Sequence, residues 1–215
     1  MPYTKHFPKV FSDEEISLVF EFILNKKDYV CGKFNEFFKH RDITAIGLMY
    51  YCGLRPAECL QLKWQDIDFE KKLLYIRPYI NKRKNDLPAI LTKPAESMLQ
   101  KYRQVYDEAG IKNEWMFPSF WTWQPITTSA FNRIFLDVCK QTGLAKIEYK
   151  RWTGQPKYSV SLYCLRHSFA TKIYKKTKSE IAVARLCRHT NVESASIYTH
   201  LNTEDKIEIA NFVFD

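Results

Sequence analysis

The sequence predicts a mainly α-helical protein with a small β-hairpin or three-stranded sheet, an α+β fold. Three observations carry that expectation. Apolar residues recur at helical spacing through most of the 215-residue chain. One stretch between Lys72 and Leu91 breaks that rhythm: KLLYIRP, a polar turn INKRKND, then LPAIL, which reads as a hairpin. No apolar run approaches the roughly 18 residues that span a bilayer, so a membrane protein is not expected.

The elements follow in order. Ser12 can cap a first helix, and Glu15 stands three residues on, as a capping box requires. Ile16, Val19, Phe20 and Ile23 continue it at helical spacing. Lys26 to Phe37 reads as a loop running into a short helix. Arg41 to Cys52 is the next helix, apolar at Ile43, Ile46, Leu48 and Met49, with Gly53 as its stop. Pro56 opens another at its first turn, with Leu60 and Leu62 turned inward. The hairpin comes next. Lys93 to Ala109 returns to helix through Met98, Leu99, Tyr102 and Val105, and the aromatic, proline-bounded stretch Trp115 to Pro125 reads as a loop. Thr128 to Thr142 forms a helix with Phe131, Ile134, Phe135 and Val138 on one face. Gly143 to Ser159 reads as a basic loop. Leu162 to Lys176, Ser179 to Arg188 and Ser194 to His200 read as helices, and Thr203 caps a last one ending in Phe212, Val213 and Phe214. No repeat or domain linker interrupts the pattern, so residues 1–215 are expected to form one domain.

At 46% hydrophobic and 27% charged, the chain has the balance of a soluble globular protein. The N-terminus, MPYTKHFPKVFSDEE, lacks the apolar stretch of a signal peptide, so a cytoplasmic location is expected. Six cysteines lie at positions 31, 52, 59, 139, 164 and 187. None forms a CxxC pair and no zinc spacing is present, so they read as reduced core residues and no metal site is expected.

Charge is unevenly spread. Between Lys140 and Lys178 stand ten Lys or Arg against one acid, Glu148, so this window carries the whole net charge of +9. Tyr149, Trp152, Tyr158 and Tyr163 interleave the basic residues. Such a region is the footprint of a polyanion-binding face, where Lys150, Arg151, Lys157 and Lys172 are nucleic-acid contact candidates, joined outside the window by Lys84 and Arg188. The plainer alternative is a solvated face that confers solubility.

Four segments bear chemistry. In YCGLRPAECL, Arg55 follows a glycine turn at the mouth of a helix, suited to gripping a phosphate with paired N–H groups, and Glu58 one turn on can orient it. The hairpin turn carries Lys82, Arg83 and Lys84, one of which could protonate a leaving oxygen. LRHSFAT puts Arg166 and His167 at a helix start. VARLCRHTNVESASIYTHL carries His189 and, nine residues later, Tyr198. Two arginines, a lysine, a histidine and a tyrosine suit phosphoryl transfer: the guanidinium groups neutralise charge on the non-bridging oxygens while the phenol attacks in line. No Asp/Glu cluster of metal-binding type accompanies them, which favours a metal-independent mechanism over a two-metal nuclease.

With these motifs in order, the chain resembles the tyrosine recombinases, meaning phage-type integrases and chromosome-dimer resolvases, from Phe11 to about Asn202. GLRPAE is similar to the family's first-arginine box, which makes Arg55 its first catalytic arginine and Glu58 the acidic neighbour. LRHSFAT is similar to the second-arginine box at Arg166, and RHTNVESASIYTH to the final box with His189 and the nucleophile Tyr198. The chain departs from the pattern at three places. Tyr163 stands where the family usually has His, Arg188 stands where it often has Gly, and the hairpin lysine is Lys82 or, alternatively, Lys84.

The resemblance implies the tyrosine recombinase catalytic-domain fold and a mechanism. Tyr198 attacks a phosphodiester of double-stranded DNA, forms a 3′-phosphotyrosine and releases a 5′-hydroxyl. Lys82 is the general acid, while Arg55, Arg166 and His189 hold the phosphate with Tyr163 assisting; Arg188, departing from the pattern, adds a cation near the scissile phosphate or the DNA backbone. Bond energy is conserved, so no cofactor is required. It further implies a monomer in solution and a homo-tetramer on paired DNA sites, with Ile207, Phe212, Val213 and Phe214 docking on a neighbour or packing on their own domain. The protein would act on nucleoid, viral or mobile-element DNA. About ten residues precede the first helix, so the family's N-terminal core-binding domain is expected to be absent. The rival expectations are a type IB topoisomerase-like enzyme and a DNA-binding module that has lost catalysis.

Overall fold

The structure is a computed structural model that describes residues 8–29, 32–77, 88–150 and 152–188. Helices dominate it, with two small antiparallel sheets. Helix α1 (Asp13–Asn25) starts on the capping box, with Ser12 Oγ accepting from the Glu15 amide and Glu15 accepting from the Ser12 amide. Its Ile16, Val19 and Ile23 are buried.

Helix α2 (Asn35–Tyr51) runs through the centre, packed against α1, α4 and α6. It begins six residues earlier than the apolar spacing suggests. The cause is a set of charges that are buried as partners rather than solvated. Arg41 pairs with Asp42 at 2.6 Å and donates to the Pro118 carbonyl at 2.6 Å, and the Tyr29 hydroxyl donates to Asp42 at 2.5 Å. Lys39 reaches the Leu24 carbonyl at 2.9 Å and Glu36 at 2.8 Å. With these charges satisfied, the helix is buried on nearly all sides.

A turn at Cys52–Leu54 leads to the short helix α3 (Pro56–Leu60). The hairpin expected over Lys72–Leu91 is part of a three-stranded meander: β1 (Ile67–Asp68) pairs with β2 (Leu73–Leu74), which pairs with β3 (Ala89–Ile90). The β2–β3 turn, with Lys82, Arg83 and Lys84, lies outside the described residues. Helix α4 (Lys93–Glu108) buries Ala95, Leu99, Tyr102 and Val105 as its spacing demands. The aromatic loop closes over it, and the Tyr102 ring stacks on Phe117 with centroids 6.0 Å apart. Helix α5 (Thr128–Gln141) is capped by Thr127 and buries Phe131, Phe135 and Val138.

The basic stretch after α5 is not a loop but a second hairpin, β4 (Ile147–Lys150) with β5 (Pro156–Tyr158). Its residues are polar and largely exposed, and the register shifts between Ile147 and Tyr149, so it lacks the alternating pattern of a half-buried strand. Trp152, in the connection between the strands, is 98% exposed. Helix α6 (Leu162–Thr177) follows directly and joins two cores. Its first half, through Leu162 and Leu165, enters the main core, and its second half, through Ala170 and Tyr174, packs with Val183 and Ala184 of α7 (Glu180–Leu186). The five described cysteines are free and buried. No described helix is long and apolar enough to cross a membrane. The expected helices over 194–200 and after Thr203 lie outside the described residues.

Candidate active site

Three segments meet at one place: the α2–α3 turn, the first half of α6 and the end of α7. Gly53 makes the turn possible. Its φ is +62°, a left-handed conformation, and a Cβ there would sit 2.3 Å from the Phe169 ring. Two residues on, Arg55 precedes Pro56, whose fixed φ suits the start of α3. Glu58 reaches back with both oxygens. Oε2 accepts from the Arg55 amide at 2.9 Å and Oε1 from Arg55 Nη1 at 2.7 Å. The Arg55 side chain keeps 37% of its surface exposed, whereas that of Glu58 keeps 2%. Arg55 is therefore held by its carboxylate and still open to a ligand.

Arg166, on the second turn of α6, is buried. Nη1 donates to the Gly53 carbonyl and Nη2 to the Cys187 carbonyl. One guanidinium thus clasps the turn bearing Arg55 and the end of α7, segments far apart in sequence. Burial, with the charges of Arg55 and Arg188, draws its pKa down to about 10, so it remains a cation near neutrality. On the same helix, Tyr163 is 60% exposed and His167 is half-buried. Burial holds the His167 imidazole below its ordinary value of 6.5.

Arg188 sits where α7 has ended, at φ +54°. This is the position where a helix usually places glycine, and a residue with a Cβ costs about 1 kcal/mol there. Its side chain, 4% exposed, turns inward, and Nη2 donates to Glu58 Oε2 at 2.5 Å. Glu58 therefore bridges Arg55 and Arg188. Burial pushes its carboxyl up, but Arg188, the Arg55 amide and the Arg55 guanidinium outweigh that, and the pKa lies below the ordinary 4.5. From the sequence Arg188 is a cation for phosphate or DNA, and its bond to Glu58 spans 130 positions that no local pattern links. The only local signal is an arginine at a helix stop that favours glycine.

Of the residues expected from sequence, the structure brings Arg55, Glu58, Arg166 and Arg188 together. Lys172 stands further along α6, over the Tyr50 ring at 4.8 Å and ion-paired with Asp13. Lys150 is exposed on β4 and Lys157 half-buried on β5, in the hairpin that leads into α6. Lys82, Lys84, Arg151, His189 and Tyr198 lie outside the described residues. Among the described residues, no group of three or more His, Cys, Asp or Glu is arranged to hold a metal. Chemically, the cluster offers three guanidinium groups against one carboxylate, an excess of positive charge suited to an anion.

The family model described as the phage integrase family matches residues 23–205. The tyrosine recombinase XerC of Pediococcus pentosaceus is 25% identical over 214 residues, covering 94% of this chain and 60% of the relative. A tyrosine recombinase of Thermosipho africanus is 28% identical over 177 residues, covering 82% of this chain and 56% of the relative. The chain thus spans little more than half the length of these relatives. The crystal structure of XerA recombinase superposes with a TM-score of 0.71 at 20% identity, covering 98% of this chain and 65% of that one. XerH recombinase bound to its difH substrate gives 0.65 at 23% identity, covering 97% and 54%. Both share the fold.

Proposed function

The chain belongs to the phage integrase family, and from that premise we propose that it is a site-specific DNA recombinase that cuts and rejoins strands through a covalent 3′-phosphotyrosine. The observation that carries this reading is the meeting of Arg55 and Arg166. The guanidinium of one holds the carbonyl of Gly53, two residues from the other, across 113 positions of sequence. Two fixed cations are what a phosphodiester needs when charge builds on its non-bridging oxygens. They are held in advance by Glu58 and by two backbone carbonyls, so little reorganisation accompanies the reaction.

In this reading residues 1–215 act as a catalytic domain. Tyr198 attacks the scissile phosphorus, Lys82 or Lys84 protonates the departing 5′-oxygen, and His189 and Tyr163 complete the phosphate grip. The 5′-hydroxyl of a partner strand then attacks the phosphotyrosine and reverses the step. Double-stranded DNA is the substrate, and the protein is a monomer alone and a homo-tetramer on paired sites. The place of action is wherever that DNA lies, in the cytoplasm or nucleoid.

The test uses a randomised pool of duplexes carrying a nick near every cleavage position. After cleavage the short strand diffuses away and the protein is trapped on DNA. Wild type is expected to form a covalent adduct, and Tyr198→Phe to lose it while still binding DNA. Binding with no adduct in wild type would reduce the protein to a DNA-binding module. Relaxation of supercoiled plasmids of arbitrary sequence would instead favour topoisomerase action. Tetramer assembly is read by sedimentation of the protein with and without the captured duplex.

A further inference from the structure

Arg188 has features that its bond to Glu58 leaves unexplained. The residue occupies a left-handed conformation that glycine would adopt without strain. Its side chain is buried, yet Nε and Nη1 have no hydrogen-bond partner among the described residues. A buried charged donor without a partner is costly, and a bound ion would complete it. The neighbourhood makes that ligand an anion. The charges of Arg55 and Arg188 both bear on the buried Arg166. Arg166 also holds the carbonyl of Cys187, the residue before Arg188, which fixes the backbone from which Arg188 extends. Glu58 is the one carboxylate bonded to this cluster among the described residues, and it is already shared by Arg55 and Arg188.

We propose that Arg188 is a third phosphate-binding guanidinium of this site, oriented by Glu58 through Nη2 and offering its unpaired Nε–H and Nη1–H to a non-bridging oxygen of a phosphodiester. The inference rests on reading the Arg55–Arg166 cluster as the phosphodiester site and adds a donor that the family's glycine cannot supply. Glu58 is then more than a partner for Arg55. It sets the spacing of two arginines, one from each side of the cluster.

The test uses inorganic phosphate as the probe and the intact chain. Thermal unfolding is measured in sodium phosphate and in sodium chloride of matched ionic strength, so that general screening cancels. At tenfold excess over its dissociation constant, phosphate is expected to raise the wild-type Tm by about 3–5 °C. Arg188→Gln, which keeps much of the volume and loses the charge, is expected to weaken phosphate at least about tenfold and reduce that rise to about 1 °C. Arg188→Gly, unstrained at this φ, is the second variant, and circular dichroism checks that each folds. Were Arg188 only a prop for Glu58, both variants would shift Tm equally in the two buffers and keep the phosphate-induced rise. That result, or a wild type indifferent to phosphate, overturns the proposal. Loss of the rise in the variants alongside a wild type that forms no DNA adduct would leave this inference standing and sink the recombinase reading. An adduct with an unchanged rise in the variants would do the reverse.

Discussion

Glu58 accepts from two arginines, one three positions before it and one 130 positions after it, and this decides how the site responds to acid. A carboxyl held below its ordinary 4.5 adds stability that is complete above that value. The contribution disappears as pH falls through the lower, folded value. Glu58→Gln is therefore expected to be destabilised by about 3 kcal/mol near neutrality, because Arg188 loses its partner. The gap from wild type should narrow as pH falls below 4.5 in urea titrations, and a gap that stays constant would contradict the depressed pKa. The two clustered arginines flanking the site should part company in stability. Arg55→Ala and Arg166→Ala are each expected to lower cleavage by about 10² or more. Only Arg166→Ala should also cost several degrees of Tm, since it releases both the Gly53 and Cys187 carbonyls. Arg55, Glu58 and Arg166 were legible because each sits in a short motif with its own local logic. The inward turn of Arg188 was not, because its partner stands 130 positions away and no spacing rule links them.

At the scale of elements, α2 shows where periodicity stops being informative. Apolar spacing starts the expected helix at Arg41, because Lys39, Arg41 and Asp42 add nothing to an apolar pattern. In the fold they are among the most buried polar residues, each paired. Asp42→Ala would strand Arg41 and the Tyr29 hydroxyl together, and a loss of about 3–5 kcal/mol is expected from denaturant midpoints. The helices α1, α4 and α5 were legible because one face alone is buried and apolar spacing reports it. The β4–β5 hairpin was not, because its strands bury little and its register is interrupted. Gly53 joins elements rather than belonging to one. Gly53→Ala adds a Cβ into the Phe169 ring at a positive φ. A fall in Tm of several degrees is expected, at roughly 2–4 °C per kcal/mol for a chain of this size.

For the whole molecule, charge is the governing quantity. The excess of +9 is concentrated in the stretch that contains the β4–β5 hairpin and α6, the same elements that carry Arg166 to the site. Binding to DNA should therefore weaken steeply with salt, as neutralised phosphates release counterions. Lys150→Ala combined with Lys157→Ala should flatten the slope of log K against log salt by about two, at roughly 0.9 for each phosphate no longer neutralised by a lysine. An unchanged slope would place the DNA elsewhere. The helical class was legible from spacing alone, whereas the joining of two cores by α6 was not, because it depends on which halves of one helix find which partners. The clasp made by Arg166 has a mechanical corollary. The peptide that leaves Arg188 toward His189 and Tyr198 sets out from a point pinned to the Gly53 turn through a single side chain. In the proposed reaction, whatever displaces that guanidinium also shifts the backbone that leads on to residue 189, which would tie the filling of the phosphate seat to the approach of Tyr198.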